Sequence, residues 1–330
     1  MSFTKVQHLK INEENYDQRI DNFLYILFNK QVARALIYSL IRTGQVRVNS
    51  GRIKPGYRLK INDDVRVPPI KLIPEQIINE SIRKPNKKFL ELWQEKISKA
   101  IIFEDQNLLI INKPTKLAVH GGSKVTIGLI EILRNLRPNE HFLELVHRID
   151  QDTSGCLMIA KKRSYLKKLH TLLREQKITK TYSALVWGAF RGKKIIELPL
   201  KKIIKSSKEH FVIPSAHGAY AKTEFISEQV FRIPSLGNKI FSLVTAKPTT
   251  GKTHQIRVHL THMGFPIVND DKYGHREFDS QIKHLRIDRM FLHAKSLKFV
   301  CPQTNNIINV TAEYDSDLIK FLSKLEQISG

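Results

Sequence analysis

Cysteine is scarce in this sequence and long apolar runs are missing, and both absences exclude classes of protein. The two cysteines among 330 residues, Cys156 and Cys301, rule out a disulfide scaffold and lack the spacing of a metal site. No apolar run approaches the roughly 20 residues that span a bilayer. The start, MSFTKVQHLK, has no apolar stretch typical of a signal peptide. We therefore expect a cytoplasmic protein with no membrane association.

Acidic residues are also few, because 31 Asp and Glu stand against 55 Lys and Arg and give a formal net charge of +24. A surface this basic attracts polyanions, either nucleic acid or an anionic membrane. Hydrophobic residues make up 41% and charged residues 26% of the chain, as in folded proteins. The length suggests about two domains. The composition thus predicts a folded protein that is directed to RNA or DNA.

Common cofactor and metal motifs are absent from the sequence. It contains neither a P-loop nor a G-x-G-x-x-G fingerprint, so no cofactor is expected. His254, His259 and His262 lie close together in the chain, but they form no HExxH motif and no cysteine accompanies them. We therefore expect no bound metal.

Residues 17–67 have the pattern of a small module. Two helices are predicted from apolar residues that recur on one helix face: Ile20, Phe23, Leu24, Leu27 and Phe28, then Val32, Leu36, Leu40 and Ile41. Gly44 is placed to end the second helix. Alternating stretches broken by Ser50-Gly51 and Pro55-Gly56 then predict short strands and turns.

Four prolines between 68 and 98 indicate a linker, although Phe89, Leu92 and Trp93 are able to dock on another part of the protein. Many strand patterns with few helical ones follow from about residue 100. This proportion predicts an α+β domain rather than a doubly wound sheet.

The segment FLELVHRIDQDTSGCLMIAKK, at 142–162, is the strongest candidate for chemistry. An apolar strand leads into a polar turn that carries Asp150 and Asp152, and a second apolar strand follows. Asp150 is able to act as a nucleophile or general base there. Alternatively, both aspartates stabilise the turn through their own backbone. A hydrolase triad of Ser154, His147 and Asp150 is disfavoured, because the G-x-S-x-G elbow is missing.

Two further residues have both a functional and a structural interpretation. Arg257 lies in PTTGKTHQIRVHLTHMG, at 248–264, on a helix face away from Ile256, Leu260 and Met263. It is either part of a site or a surface arginine of an amphipathic helix. Tyr182, in an alternating strand, is by pattern alone a core aromatic with its hydroxyl at the edge.

HRIDQDTSG resembles the HRLDxxTSG signature of one large family of pseudouridine synthases. Five further segments resemble the family's other motifs in the same order: INKPTKLAVHGG at 111–122, KTYSALVWG at 180–188, PTTGKTHQIRVHL at 248–260, GFPIVNDDKYG at 264–274 and LHAKSLKFVCP at 292–302. The N-terminal module is similar to the small alpha-L RNA-binding domain. The resemblance predicts an RNA-binding domain over 1–80 (core 17–67), a linker over 81–98 and a catalytic domain over 99–330.

The resemblance implies a fold, an activity and roles for residues. The fold is α+β, with a central mixed, mostly antiparallel sheet flanked by helices. The activity is isomerisation of specific uridines to pseudouridine in 23S (large-subunit) ribosomal RNA, without a cofactor. Asp150 is then the catalytic residue, Arg257 its ion-pair partner and Tyr182 the ring that stacks on the base. Supporting roles fall to His147, Arg148 and Leu292, with Arg148 a candidate to fill the vacated base stack.

The RNA face of the N-terminal module is expected to include Arg19, Arg34, Arg42 and Lys54, and no obligate protein partner is indicated. Three alternatives remain open at this point. They are a noncatalytic rRNA-binding or ribosome-assembly factor, a pseudouridine synthase acting on another RNA, and a metal-dependent nuclease.

Overall fold

A computed structural model describes residues 4–28, 31–70, 87–121, 127–204, 210–233, 239–285 and 287–328. The chain divides into two compact units, Met1–Phe89 with Lys162–Tyr165, and Leu90–Lys161 with Leu166–Gly330. Residues 71–86 of the predicted linker region lie outside the described residues.

The first unit contains β1 (Gln7–Lys10), α1 (Ile20–Leu27), α2 (Arg34–Arg42), β2 (Arg47–Val48) and β3 (Asp64–Val67). The three strands pair antiparallel in the order β1-β3-β2. Both helices bury their predicted apolar faces against this sheet, with one exception.

That exception is Leu36, which was expected in the core but is 46% exposed, whereas Ile37 is 1% exposed. Val32 lies before the first turn of α2, so the four-residue spacing from Val32 to Leu36 does not place Leu36 on the buried face of the helix. Gly44 follows the helix end as predicted, with a φ of +72° that favours glycine.

Within the described residues of the second unit, eleven strands form one sheet: β4 (Ile101–Glu104), β5 (Leu108–Lys113), β6 (Glu144–Leu145), β7 (Ser154–Ala160), β8 (Thr179–Trp187), β9 (Lys193–Glu197), β12 (Lys222–Ile233), β13 (Lys239–Pro248), β14 (Leu292–Val300), β15 (Ile307–Thr311) and β16 (Glu326–Ile328). Their order is β16-β12-β13-β8-β14-β7-β5-β4, and in addition β15 pairs with β14, β6 with β7 and β9 with β12. A separate hairpin is formed by β10 (Leu200–Ile204) and β11 (His210–Pro214).

The pairings confirm the predicted fold class. β7 and β14 run parallel, and the other pairs are antiparallel, so the sheet is mixed and mostly antiparallel. The remaining helices are α3 (Lys87–Lys99), α4 (Leu129–Leu136), α5 (Arg163–Arg174), α6 (Gln255–His262), α7 (Arg276–Gln281) and α8 (Ser316–Leu322). The protein is therefore α+β, as the sequence predicted.

Within the predicted linker at 81–98, the residues from Lys87 onward form α3. Ile97 is fully buried and Trp93, one turn earlier, packs against the same core as β5 and α4. Residues four apart lie on one helix face, so the packing of Trp93 and Ile97 stabilises α3 within the second unit.

Three central strands bring the candidate residues towards one place. The loop that carries Asp150 ends where β7 begins, Tyr182 lies on β8, and Leu292 is the first residue of β14. Gly155, the second residue of β7, has a φ of +104°, and a Cβ there would lie 2.3 Å from the carbonyl oxygen of Ala294. Only glycine permits β7 and β14 to approach this closely.

Candidate active site

A cavity of about 540 Å³ lies where the 147–153 loop, β8, the 248–252 loop, α6 and β14 meet. It is lined by residues predicted from the sequence: His147, Arg148, Asp150, Tyr182, Arg257 and Leu292. The tertiary structure thus brings together six side chains from segments as far apart as 147 and 292.

Asp150 lies in the tight turn between β6 and β7, at the cavity wall. Its backbone carbonyl accepts the N–H of Thr153 at 3.2 Å, so the turn is closed by the main chain. The side chain instead faces Arg257, whose Nη1 donates to Oδ2 at 3.1 Å. The carboxylate of Asp150 is therefore available to the cavity rather than committed to the turn.

Arg257 is buried beneath the cavity, not exposed on an amphipathic helix. Its Nε and Nη2 donate to the two carboxylate oxygens of Asp270, at 2.7 and 2.6 Å, which leaves Nη1 for Asp150. Burial alone would lower the pKa of Arg257, but Asp270 and Asp150 outweigh it and raise that pKa. Arg257 therefore stays charged and fixed in orientation.

Asp270 is the main partner of Arg257 and was missed by sequence reasoning. It lies in the turn after β13 and α6, where its Oδ1 also accepts the N–H groups of Lys272 and Tyr273 at 3.0 Å. The segment GFPIVNDDKYG was noticed as a motif, but nothing in its spacing pointed to α6.

Tyr182 and Leu292 form the apolar side of the cavity. Tyr182 packs against two hydrophobic clusters, one of which contains Leu292. Burial raises the pKa of Tyr182, and the negative charge of Asp150 raises it further. The phenol is therefore neutral, and its ring presents a flat apolar surface close to the carboxylate.

His147 lines the cavity and also stabilises the loop through a hydrogen bond to the backbone. Its Nε2 accepts the N–H of Met158 at 3.3 Å, and burial, with the charge of Lys180, lowers its pKa to about 3. It forms no triad with Ser154, whose hydroxyl bonds to Nδ1 of His293 at 2.8 Å and to Arg289 at 2.7 Å.

Arg148 is exposed at the cavity. Among the residues that the structure describes, none forms an ion pair or hydrogen bond with its guanidinium. Its guanidinium is thus available to an RNA ligand.

His254 is a second neighbour of Asp150 that the sequence did not assign to the site. Its Nε2 lies 3.8 Å from Oδ1 of Asp150, on the side opposite Arg257. Tyr273 Oη accepts the N–H of Val212 at 2.9 Å, which leaves its own hydrogen for Nδ1 of His254 at 2.8 Å. Burial lowers the pKa of His254, so a neutral ring directs Nε2–H towards the carboxylate. The signal in the sequence was only its position before α6.

Lys113 anchors the loop that carries Asp150. It is fully buried, and its Nζ donates to the carbonyl oxygens of Pro114, Leu117 and Gln151 at 2.8, 2.8 and 2.9 Å. Burial lowers its pKa to about 7. Gln151 directly follows Asp150, so this lysine fixes the backbone of the turn that carries Asp150.

The three histidines around α6 do not converge. His259 uses both ring nitrogens, on Thr223 at 3.0 Å and on the carbonyl of Leu198 at 3.1 Å. The part of the chain that the structure describes holds no group of three residues able to bind a metal ion. Across the same residues, no helix is both long and apolar enough to cross a bilayer.

The predicted RNA-binding residues of the first unit separate into two groups. Arg19 and Arg34 line one shallow pocket together with Arg58. Arg19 donates to both oxygens of Asp21, at 3.2 and 2.6 Å. Arg42 and Lys54 are exposed outside that pocket. The structure thus joins two of the four and leaves two elsewhere on the surface.

Comparison with known proteins agrees with the predicted fold and family. Residues 107–262 match the RNA pseudouridylate synthase family, and residues 18–65 match the S4 domain. The chain belongs to the family of RNA pseudouridine synthases.

Its similarity to particular relatives extends over nearly the whole chain. It is 45% identical over 323 residues to ribosomal large subunit pseudouridine synthase C of Pasteurella multocida, which covers 98% of this chain and 94% of the relative. The protein of the same name from Escherichia coli K12 is 42% identical over 323 residues, 97% of both chains.

The solved structure of human RNA pseudouridylate synthase domain containing 4 covers 73% of this chain and 99% of its own, with a TM-score of 0.57 and 21% identity. That of human RNA pseudouridylate synthase domain containing 1 covers 70% of this chain and 89% of its own, with a TM-score of 0.56 and 24% identity. At these identities the likeness concerns the fold.

Proposed function

We propose that this protein isomerises specific uridines of large-subunit ribosomal RNA to pseudouridine in the cytoplasm, with Asp150 as the catalytic residue. The observation that carries the proposal is that Asp150 is the single carboxylate among the described residues lining a cavity, which also presents several cations, apolar side chains and the ring of Tyr182. The names of the relatives at 42–45% identity support the choice of RNA.

The geometry suits an isomerisation within one nucleotide. The bond from ribose to the uracil nitrogen breaks, the base rotates, and ring carbon five joins the ribose. Ring carbon five then loses its proton to solvent and the released ring nitrogen gains one, so that product and substrate are isomers. Arg257 donates to Oδ2 of Asp150, which leaves Oδ1, 3.8 Å from Nε2 of His254, to attack or deprotonate the nucleotide. Tyr182 supports the base while it turns, since stacking on an aromatic ring is worth roughly 1–3 kcal/mol per base.

The target uridine has to leave its stack to reach Asp150. Flipping costs a few kcal/mol, and least in loops or bulges. Arg148 is exposed beside the cavity and its planar guanidinium is able to stack in the place of the extruded base. The basic surfaces of both units supply sequence-independent attraction to the RNA backbone.

The test is release of tritium from 23S rRNA transcribed with uridine labelled at ring carbon five. Wild type, Asp150→Asn and Asp288→Asn are compared in EDTA; Asp288 is a highly exposed carboxylate and serves as the matched control. We expect release by wild type and Asp288→Asn, and a loss of about a thousandfold or more in Asp150→Asn.

Other outcomes separate the alternatives. Tight binding of the rRNA without release by wild type contradicts the proposal and favours a noncatalytic rRNA-binding factor or a different RNA. Release by Asp150→Asn at the wild-type rate shows that another residue is catalytic. Release only without EDTA favours metal-dependent chemistry.

A further inference from the structure

Lys180 is a further cation of the cavity. It precedes Tyr182 by two residues on β8, so both side chains project from the same face of the strand, about 6.6 Å apart along it. Both line the cavity. Lys180 is half-buried, and among the described residues none forms an ion pair or hydrogen bond with it.

The other buried cations around the site are all neutralised or solvated by the protein. Arg257 bonds to two carboxylates, Arg289 pairs with Asp315, and Lys113 donates to three carbonyl oxygens. Removing an ammonium from water without a partner is unfavourable. Burial accordingly lowers the pKa of Lys180, and no neighbouring charge opposes that effect. Such a cation is suited to an anion supplied by the ligand.

The wall opposite Lys180 is a loop held rigidly by Gln255. Oε1 of Gln255 accepts the hydroxyl of Thr250 at 2.8 Å and the N–H of Lys252 at 3.0 Å. Between them, Gly251 presents bare backbone: a Cβ there would lie 3.8 Å from Nζ of Lys180, in the space that a bound oxygen needs. Lys252 is exposed and lines the same cavity, so it adds a second positive charge.

We propose that Lys180, Gly251 and Lys252 form a subsite for a backbone phosphate of the RNA, beside the nucleotide whose base lies against Tyr182. The inference rests on the proposed function, because it takes the ligand to be the uridine-containing strand. Phosphates are the anions that such a strand brings to every nucleotide. With the base on Tyr182 and a phosphate on Lys180, the ribose is held in register with Asp150.

The first test compares the salt dependence of binding to a 23S rRNA fragment that contains a mapped target uridine. Lys180→Met removes the charge at similar length, Gly251→Ala occupies the oxygen space, and Lys320→Met, at an exposed position of α8, is the control for net charge. We expect Lys180→Met to bind about tenfold more weakly. Its slope of log affinity against log salt should fall by about 0.7–1 relative to wild type and Lys320→Met.

The second test identifies the phosphate. Methylphosphonates, which lack the negative charge, replace single phosphates on either side of the target uridine. At one of these positions we expect the methylphosphonate to weaken RNA binding by wild type roughly tenfold and to cause no further loss of affinity in Lys180→Met. The affinity of Gly251→Ala should change as that of Lys180→Met does. Lys180→Met should also melt no lower than wild type, since it removes an unpaired buried charge. A merely structural lysine would destabilise the fold when replaced and leave the salt slope unchanged.

The outcomes distinguish this inference from the proposed function. If wild type releases no tritium, the proposed function fails whatever the salt slopes are. If wild type isomerises the RNA, but Lys180→Met keeps the wild-type slope and loses affinity with every methylphosphonate as wild type does, the phosphate subsite alone is wrong.

Discussion

Arg257 and Asp270 form a buried ion pair with two hydrogen bonds, and Asp150 receives only the one guanidinium nitrogen that remains. The arginine is thus fixed by a carboxylate outside the cavity and presents its third nitrogen to the proposed catalytic one. Asp270 therefore positions Arg257, and Arg257 in turn positions Asp150.

Asp270→Asn should therefore destabilise the protein more than Asp150→Asn. Breaking a buried pair from one side costs about 3–5 kcal/mol of unfolding free energy, because it leaves an uncompensated charge. Asp150 is partly exposed and accepts one bond, so its loss costs less. Urea unfolding of both variants measures the difference; equal losses would contradict this assignment of roles.

Arg257→Lys should impair turnover more than RNA binding. A lysine ammonium does not reproduce the planar fork that spans Asp270 and Asp150 at once. We expect kcat to fall at least about tenfold, with a Kd within about twofold of wild type. Arg232→Lys, at an exposed ion pair on β12, controls for the exchange itself. An equal loss of binding and turnover would argue against a positioning role.

Tyr182→Phe separates the ring from the hydroxyl. Burial and Asp150 raise the pKa of Tyr182, so its hydroxyl keeps its proton across the working pH range. Stacking should survive in Tyr182→Phe, whereas Tyr182→Ala should lose roughly 1–3 kcal/mol of base interaction. If tritium release by Tyr182→Phe equals that of wild type, the hydroxyl moves no essential proton; if only release is lost, it does.

Lys113 should make stability rise with pH. Burial lowers its folded pKa to about 7 from the ordinary 10.5, so between those values the unfolded chain holds a proton that the folded chain lacks. Unfolding free energy consequently increases with pH across this window. The stability of wild type minus that of Lys113→Met should rise from about pH 7 to 10.5 in chemical denaturation. The matching difference for Lys320→Met should stay flat, and a flat Lys113 curve would refute the shift.

Gly155→Ala should unfold far more readily than Gly192→Ala. Both glycines have positive φ, but a Cβ at Gly155 would meet the carbonyl of Ala294 at 2.3 Å, and one at Gly192 meets nothing within 4 Å. Backbone strain alone costs about 1–2 kcal/mol. Thermal melting that shows similar losses for both would mean that the β7–β14 approach tolerates a side chain.

Much of the local structure was predictable because it depends on neighbours in the chain. Apolar spacing predicted α1 and α2, and alternation predicted β8, since each pattern reflects one buried face. It failed at Leu36, where the residue that set the phase lay outside the helix. The proline-rich composition of 68–98 gave no indication of α3, because that helix is stabilised by Trp93 and Ile97, which pack on a core formed by residues distant in the sequence.

The sequence by itself determined the fold class, the strand-turn-strand around Asp150 and the family, because these depend on short-range pattern and on ordered motifs. Only the tertiary structure decided that Asp270 holds Arg257, that His254 faces Asp150 and that none of the described residues pairs with Lys180. Each of these relationships joins residues from separate elements of the second unit. Burial and pairing are properties of the packed sheet, and no spacing along the chain encodes them.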